Sequence, residues 1–450
     1  MSTRKGILLA TAAIYAFCFC PSFTQAKYYP EVPPDLQKYE DPLTCTETPD
    51  KWYMMYRNYP YDPFYGGAAK CVSFQRLGPS KDFAVPSKFS WHTKGAGTQS
   101  VVGTYVSTSM PGYRNKNLHT FFPKNAPYAW QKYTVFVDCG NCYIGRHPYA
   151  GHGCTLWRRA ENGGVKGTDH CDFIFVLLCG SFPKYTVYEP TCPREVGKGA
   201  VEALEGISGY PKISVRDIET RKDEIILTSF IKMDDVKPQT TMSTRIGISL
   251  ATAAICAFCF CPSFTQAQYY PELRYDLQKY QDAFACPETP DKCYMVYRNY
   301  PYDPFYGGAA KCVNFQRLGP SKDFTVPSKL SWRANGAGTQ SVVGTYAFSS
   351  TPGYRVKNMH IFFPKNAPFT GQMHTLYVDC GNCYIARHRY AGHGCALWRR
   401  PQNGVVKGAD HCDFIFDLLC GSFPKYTVYE PTCPRELGTG PMKALDVNSG

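Results

Sequence analysis

The sequence predicts an all-β chain made of two copies of one antiparallel barrel or sandwich, each followed by a single helix. Tyr (34) and Phe (28) are plentiful among the 450 residues, and aromatic side chains favour the half-buried pleated surface of strands over helical bundles. Short aromatic and β-branched runs alternate with glycine and proline turns. The whole pattern then recurs: Met242-Ser-Thr-Arg repeats Met1-Ser-Thr-Arg, and the register holds without a gap through Glu195 and Glu436, with 42 of 195 aligned positions differing.

The first element is a leader. Basic Met1 to Lys5, an apolar stretch from Gly6 to Cys20 and small residues at Thr24 and Ala26 predict a secretory signal peptide over 1–26. The apolar run is too short for a membrane span. Secretion places the cysteines in an oxidising compartment, and the sequence has no Asn-x-Ser/Thr sequon.

The strands of the first module, 27–195, follow. Ala69–Phe74, Ser87–Trp91, Gln99–Val106, Leu118–Phe122, Thr134–Asp138 and Gly153–Trp157 are separated by Gly66-Gly67, Gly78-Pro79, Gly95 to Gly97, Pro111-Gly112 and Gly163-Gly164. About eight short strands at this spacing fit a barrel or a sandwich. A helix comes next, with Thr168 or Asp169 as N-cap, an apolar face from Cys171 to Cys179 and Gly180 as left-handed terminator.

Residues 196–241 have no counterpart in the repeat and read as a disordered linker. A second signal-like segment, 242–267, precedes module two (268–436) and a tail (437–450). Tandem secreted domains normally share one leader. A repeated precursor therefore suggests two neighbouring duplicated genes joined in one reading frame, with each module acting separately; the alternative is a genuine two-module protein whose second hydrophobic segment is cleaved, buried or a membrane anchor.

Lys and Arg exceed Asp and Glu by 49 to 36, but the charge is scattered singly rather than in runs, which argues against nucleic-acid binding. Module one holds Cys45, Cys71, Cys139, Cys142, Cys154, Cys171, Cys179 and Cys192; module two matches them with Cys286, Cys312, Cys380, Cys383, Cys395, Cys412, Cys420 and Cys433. Eight cysteines allow 105 pairings. Cys293, where module one has Trp52, is left over.

Cys139-Gly-Asn-Cys142 lacks the βαβ setting of a redox pair, and His147, His152 and His170 do not lie at convincing metal-ligand spacing. Structural disulfides and turn histidines are the expectation, with no metal and no cofactor. No nucleophile–base motif occurs, so no enzyme is expected. Asp172 and Asp417 read as solvated helix positions. What remains is an aromatic-rich interior suited to a small ligand.

Asp50-Lys-Trp52, Lys70-Cys-Val72, Asp138-Cys139, Arg146 to Trp157, Cys171-Asp-Phe-Ile-Phe175, Leu178-Cys-Gly180 and Val187-Tyr188 to Cys192 stand in an order that resembles the tick histamine-binding family of salivary lipocalins. The resemblance covers nearly all of both modules. It implies lipocalin-type eight-stranded barrels, secretion in saliva, and capture of host mediators, either a biogenic amine such as histamine or a lipid such as an eicosanoid or fatty acid, countering host inflammatory defence. A lipocalin scaffold whose loops bind a host complement or haemostasis protein is the alternative. No nucleic-acid partner and no stable membrane association are implied. The resemblance also suggests bridges Cys71–Cys192 and Cys139–Cys171, with equivalents Cys312–Cys433 and Cys380–Cys412.

The candidate ligand-binding residues are Asp50, Trp52, Tyr105, Phe136, Asp138, Leu156 and Trp157, with Tyr346, Tyr377, Asp379, Leu397 and Trp398 in module two. The family's amine signature needs an early acid and Trp and a late acid. Here Thr155 and Ala396 replace the late acid, and Cys293 replaces the early Trp. From Tyr53 to Thr168 the acids are Asp62, Asp82, Asp138 and Glu161, against fourteen Lys and Arg. A buried ammonium needs a paired carboxylate, so a neutral or anionic lipid fits this composition better.

Overall fold

The first eight strands close into a ring, which decides for the barrel over the sandwich. The computed structural model describes residues 34–192 and 271–433, apart from 46–50, 111, 126–128, 160–168, 182, 287–291, 335–337, 366–370, 401–409 and 423. Both signal-like segments, the linker, the tail, Asp50, Glu161 and the Gly163-Gly164 turn lie outside the described residues.

Module one comprises β1 (Lys51–Arg57), β2 (Lys70–Arg76), β3 (Ala84–Thr93), β4 (Gly97–Thr108), β5 (Leu118–Pro123), β6 (Trp130–Asp138), β7 (Cys142–His147) and β8 (Gly153–Arg159). Each strand pairs antiparallel with the next, and β1 closes the ring on β2 and β8. Closure leaves no open sheet edge in the barrel wall. A two-residue strand, β9 (Tyr185–Thr186), adds to β1.

Module two repeats this order with β10 (Cys293–Arg298), β11 (Lys311–Arg317), β12 (Thr325–Ala334), β13 (Gly338–Ser349), β14 (Met359–Pro364), β15 (Gln372–Asp379), β16 (Cys383–His388), β17 (Gly394–Arg399) and β18 (Tyr426–Thr427). Gly66 shows why some turn positions admit only glycine. Its φ is +77°, and a Cβ there would lie 2.2 Å from the Trp91 ring.

The predicted helices are α1 (Asp169–Cys179) and α2 (His411–Cys420). Asp410, the counterpart of Asp169, caps α2: its carboxylate accepts the Cys412 N–H at 2.8 Å, while Asp413 accepts the Asp410 N–H at 3.2 Å. Gly180 takes the left-handed conformation at φ +87°, and its N–H donates to Val176 O at 3.1 Å.

Eight disulfides hold the two barrels. Cys71–Cys192 and Cys312–Cys433 join as the resemblance suggests. Cys139, however, pairs with Cys45, and Cys171 with Cys142; Cys154–Cys179 completes the set, and module two repeats all three. Cys139 and Cys142 flank the tight β6–β7 turn, where Asp138 pairs with Cys142. Cys142 faces the helix, and Cys139 is left for the 3-10 turn Pro42–Cys45 that packs on β6.

The helices do not face solvent as the tandem reading implied. Each packs against the other module, α1 on the 3-10 helix Tyr275–Tyr280 and α2 on the 3-10 helix Pro34–Tyr39, within one apolar cluster that draws residues from both modules. The contacts obey a pseudo-two-fold axis. Phe136 meets Phe414 and Tyr377 meets Phe173, each at 4.7 Å between ring centroids. Tyr39 meets Phe414 at 5.1 Å, and Tyr280 meets Phe173 at 5.3 Å.

Asp417 is buried in this junction, where Tyr39 OH donates to it at 3.1 Å and Lys38 Nζ lies 3.1 Å away. Across the axis its counterpart is Val176, and Arg274 donates to the Val176 and Leu177 carbonyls, each at 3.0 Å. Asp172 is likewise engaged, accepting from Tyr56 OH and from Arg158 Nη2 at 2.9 Å.

Candidate functional site

Strand alternation sends every second side chain inward, and each barrel gathers aromatics around a chamber. In module one Trp52, Phe74, Tyr105, Lys132, Tyr143 and Trp157 line a cavity of about 60 Å³. In module two Phe315, Tyr346, Phe348, His360, Tyr384 and Trp398 line one of about 150 Å³, with Cys293, Arg317 and Arg400 also on its wall. A cavity of about 150 Å³ accommodates a single aromatic ring such as benzene.

Two exchanges at equivalent positions explain much of the difference. Trp52 becomes Cys293, which removes an indole from the wall, and Lys132 becomes Met373. Ser107 becoming Phe348 works the other way but does not refill the space. Cys293 is half-buried and has no disulfide partner, and desolvation pushes its thiol pKa up to about 12, so it is neutral.

Lys132 is the polar centre of module one. Its ammonium lies 4.5 Å from the Tyr143 ring, 5.1 Å from Trp157 and 5.3 Å from Tyr105. Burial lowers its pKa to about 7, and the more distant Asp62 only partly opposes this. Behind it, His119 bridges Ser107 Oγ at 2.9 Å and Thr134 Oγ1 at 2.8 Å, and burial holds its pKa well below the usual range. In module two His360 meets Tyr384 OH at 2.7 Å, and burial lowers its pKa to about 3.

Trp52, Tyr105, Trp157, Tyr346 and Trp398 are on chamber walls. Phe136, Leu156, Tyr377 and Leu397 are not: they point outward into the cluster beneath the helices, on the opposite strand face. Asp138 is bonded by His170 Nε2 at 3.0 Å, and Asp379, on the rim of the larger chamber, lies 3.3 Å from His411 Nε2. Sequence reasoning missed Lys132, His360, Tyr143 and Tyr384. Lys132 alternates with inward-facing Trp130 on β6, and that was the available signal.

Among the described residues, the positions weighed offer no loose carboxylate for an amine. Asp62 is buried and saturated by Tyr59 OH at 2.5 Å and the Phe64 and Tyr65 N–H groups at 3.0 and 3.2 Å. Asp82 is exposed in a turn. Thr155, in place of the late acid, receives Trp157 Nε1 and His147 Nε2, each at 2.8 Å. Ala396 offers no such acceptor, leaving Trp398 Nε1 and His388 Nε2 buried without hydrogen bonds.

A closed eight-stranded barrel with an aromatic interior, a flanking helix and four disulfides defines a lipocalin-type small-ligand-binding module, and this chain carries two. The model of the tick histamine binding protein family matches residues 31–194 and again 272–435, and the chain belongs to that family. Its fold and family are those of binding proteins. No curated protein sequence matches.

Similar solved structures include the AM182 serotonin complex, at 14% identity and TM-score 0.26, covering 33% of this chain and 90% of that one. Lobster apocrustacyanin A1 has 14% identity and TM-score 0.22, with 29% and 69% coverage. Japanin from Rhipicephalus appendiculatus, bound to cholesterol, has 11% identity and TM-score 0.23, with 30% and 90% coverage.

Proposed function

We propose that the chain is a secreted salivary lipocalin that sequesters small host mediators and so counters inflammatory defence. The mediators it selects are compact apolar molecules with a neutral or anionic head. The charge on the chamber walls supports this reading. Module one presents Lys132, module two presents Arg317 and Arg400, and the acid on the larger rim, Asp379, already lies against His411. An ammonium entering either chamber meets cations, whereas a carboxylate meets a charge-assisted partner. Secretion is supported by the disulfides and by the leader-like N-terminus; among the described residues no helix is long and apolar enough to cross a membrane.

Calorimetric titration of the full chain with phenylacetate as a compact carboxylate, and with arachidonate, a leukotriene, histamine and serotonin, tests this. Saturation by a carboxylate ligand is expected, with weak or no amine binding. Cys293→Trp, which restores the indole to the larger chamber, is expected to lower module-two affinity at least about tenfold, or ~1.4 kcal/mol. Tight amine binding without carboxylate binding would overturn the selectivity.

Exposed aromatic tips favour a second reading. Tyr61 and Phe83 are 64% and 51% exposed, and Tyr302 and Phe324 repeat them at 63% and 49%. Aromatic groups held in water at loop tips suit contact with a host protein. Saturation by no small ligand, together with capture of a complement or clotting component lost on Phe83→Ser, would favour it.

A further inference from the structure

Lys132 is a buried amine without a counter-charge. It is 6% exposed and stands on the wall of the smaller chamber. Among the described residues its nitrogen has no carboxylate within ion-pair distance and no hydrogen-bond acceptor; its contacts are the faces of Tyr105, Tyr143 and Trp157. The titratable groups around it do not fill the gap. Asp62 acts on it from a distance, and its oxygens are taken by Tyr59 and two backbone N–H groups. His119, opposite Lys132 on β5, is held neutral by burial and by the lysine itself, as is His147. Tyr105 and Tyr143 keep their protons, because burial raises both pKa values.

An ammonium carries three N–H donors, and leaving them unmet in an aromatic chamber is costly. Burial accordingly lowers the pKa of Lys132 to about 7, so a free amine is plentiful at neutral pH. A desolvated lysine amine is a nucleophile towards carbonyl carbon. Condensation with an aldehyde suits this site: nitrogen bonds to the carbonyl carbon and the carbon–oxygen bond breaks. Counted from the ammonium, two of its three protons leave with the oxygen as water, and the third stays on the iminium nitrogen. No oxidant or reductant is consumed. The product has one N–H to satisfy instead of three, and its delocalised charge still faces the three rings.

The chamber limits the size of the aldehyde. Its volume of about 60 Å³ lies between the ~30 Å³ share of one water and the ~150 Å³ of a benzene-sized cavity, which suits a chain of about two to four carbons. Module two supplies the contrast. Met373 stands at the position of Lys132, and the cations of that chamber, Arg317 and Arg400, are guanidinium groups that stay protonated.

We propose that Lys132 is a covalent capture site for short-chain aldehydes, held reversibly as an imine inside the module-one chamber. This rests on the small-ligand reading of the chamber and adds carbonyl compounds to its ligands. It does not depend on a preference for carboxylates over amines.

The test exposes the full, unmutated chain briefly to propanal and cyanoborohydride at pH 7, which fixes an imine as a secondary amine. Labelled lysines are then mapped by peptide mass spectrometry. Lys132 is expected to label more than about tenfold faster than any other lysine, since an exposed amine with a pKa of about 10.4 is almost wholly protonated at that pH. Lys51, Lys184 and Lys292 are the decisive comparison. Burial lowers their pKa values too, but they are only half-buried and lie off the chamber walls. Labelling of these three as fast as Lys132, or no labelling of Lys132, overturns the proposal. Carboxylate binding is read separately by calorimetry without reductant, so failure of either result leaves the other standing.

Discussion

Single side chains decide what each barrel can hold. Trp52 fills part of the module-one chamber, and its loss at Cys293 helps to open the other. That exchange was visible in sequence, as were the inward tryptophans Trp157 and Trp398. Inward Lys132 was not, because a lone lysine in a short strand usually faces water, and only barrel closure shows where it points. Its titration yields a prediction. Below pH 7 Lys132 is charged and attracts an anionic ligand; above its pKa of about 7 it loses that charge. Affinity of module one for a carboxylate should fall by up to about tenfold per pH unit above 7, and Lys132→Met should flatten the profile in calorimetry. The stability effect has the opposite slope. A lowered lysine pKa means that the unfolded chain binds the extra proton, so stability rises with pH from about 7 towards the usual lysine value of about 10.4.

At the scale of elements, the strands and the helix were legible from turn residues, alternation and caps. The outward set was harder to see. Phe136 and Leu156 lie beside inward residues in nearly continuous apolar runs, because both faces of β6 and β8 are covered, one by the chamber and the other by α1 over β8 and by Phe414 of α2 over Phe136. Alternation fades where both faces are buried. The pairing of Cys139 and Cys142 was also hidden, since three residues of separation across a turn leave two partners equally near. The Cys142–Cys171 bridge spans 29 residues and fastens the start of α1 to β7. Replacing both cysteines by alanine is expected to cost about 3–4 kcal/mol, read as a lower denaturation midpoint, with the barrel's strand signal retained below it.

The duplication was plain in sequence, but the pairing of the two modules was not, because apolar helix faces show that something covers them without saying what. The two sides of the junction have diverged into different, compatible contacts: Lys38 with Asp417 on one side, Arg274 with the Val176 and Leu177 carbonyls on the other. Two copies of module one could not reproduce the Asp417 contact, since Val176 stands in its place. Cleavage between the modules is therefore expected to leave the halves together on size-exclusion chromatography. Lys425 also pairs with Asp417 from its own module, so Asp417→Lys, which sets three ammonium groups (its own, Lys38 and Lys425) against one another, should release the halves.

Asp379 stands both on the rim of the larger chamber and against His411 at the junction. One carboxylate thus has two neighbours whose demands meet on the same pair of oxygens. If occupancy of the chamber alters how tightly Asp379 is held, the junction must alter chamber affinity by the same factor, because coupling free energies are reciprocal. The molecule's grip on a captured compound and its grip on its own twin half are then readings of a single equilibrium.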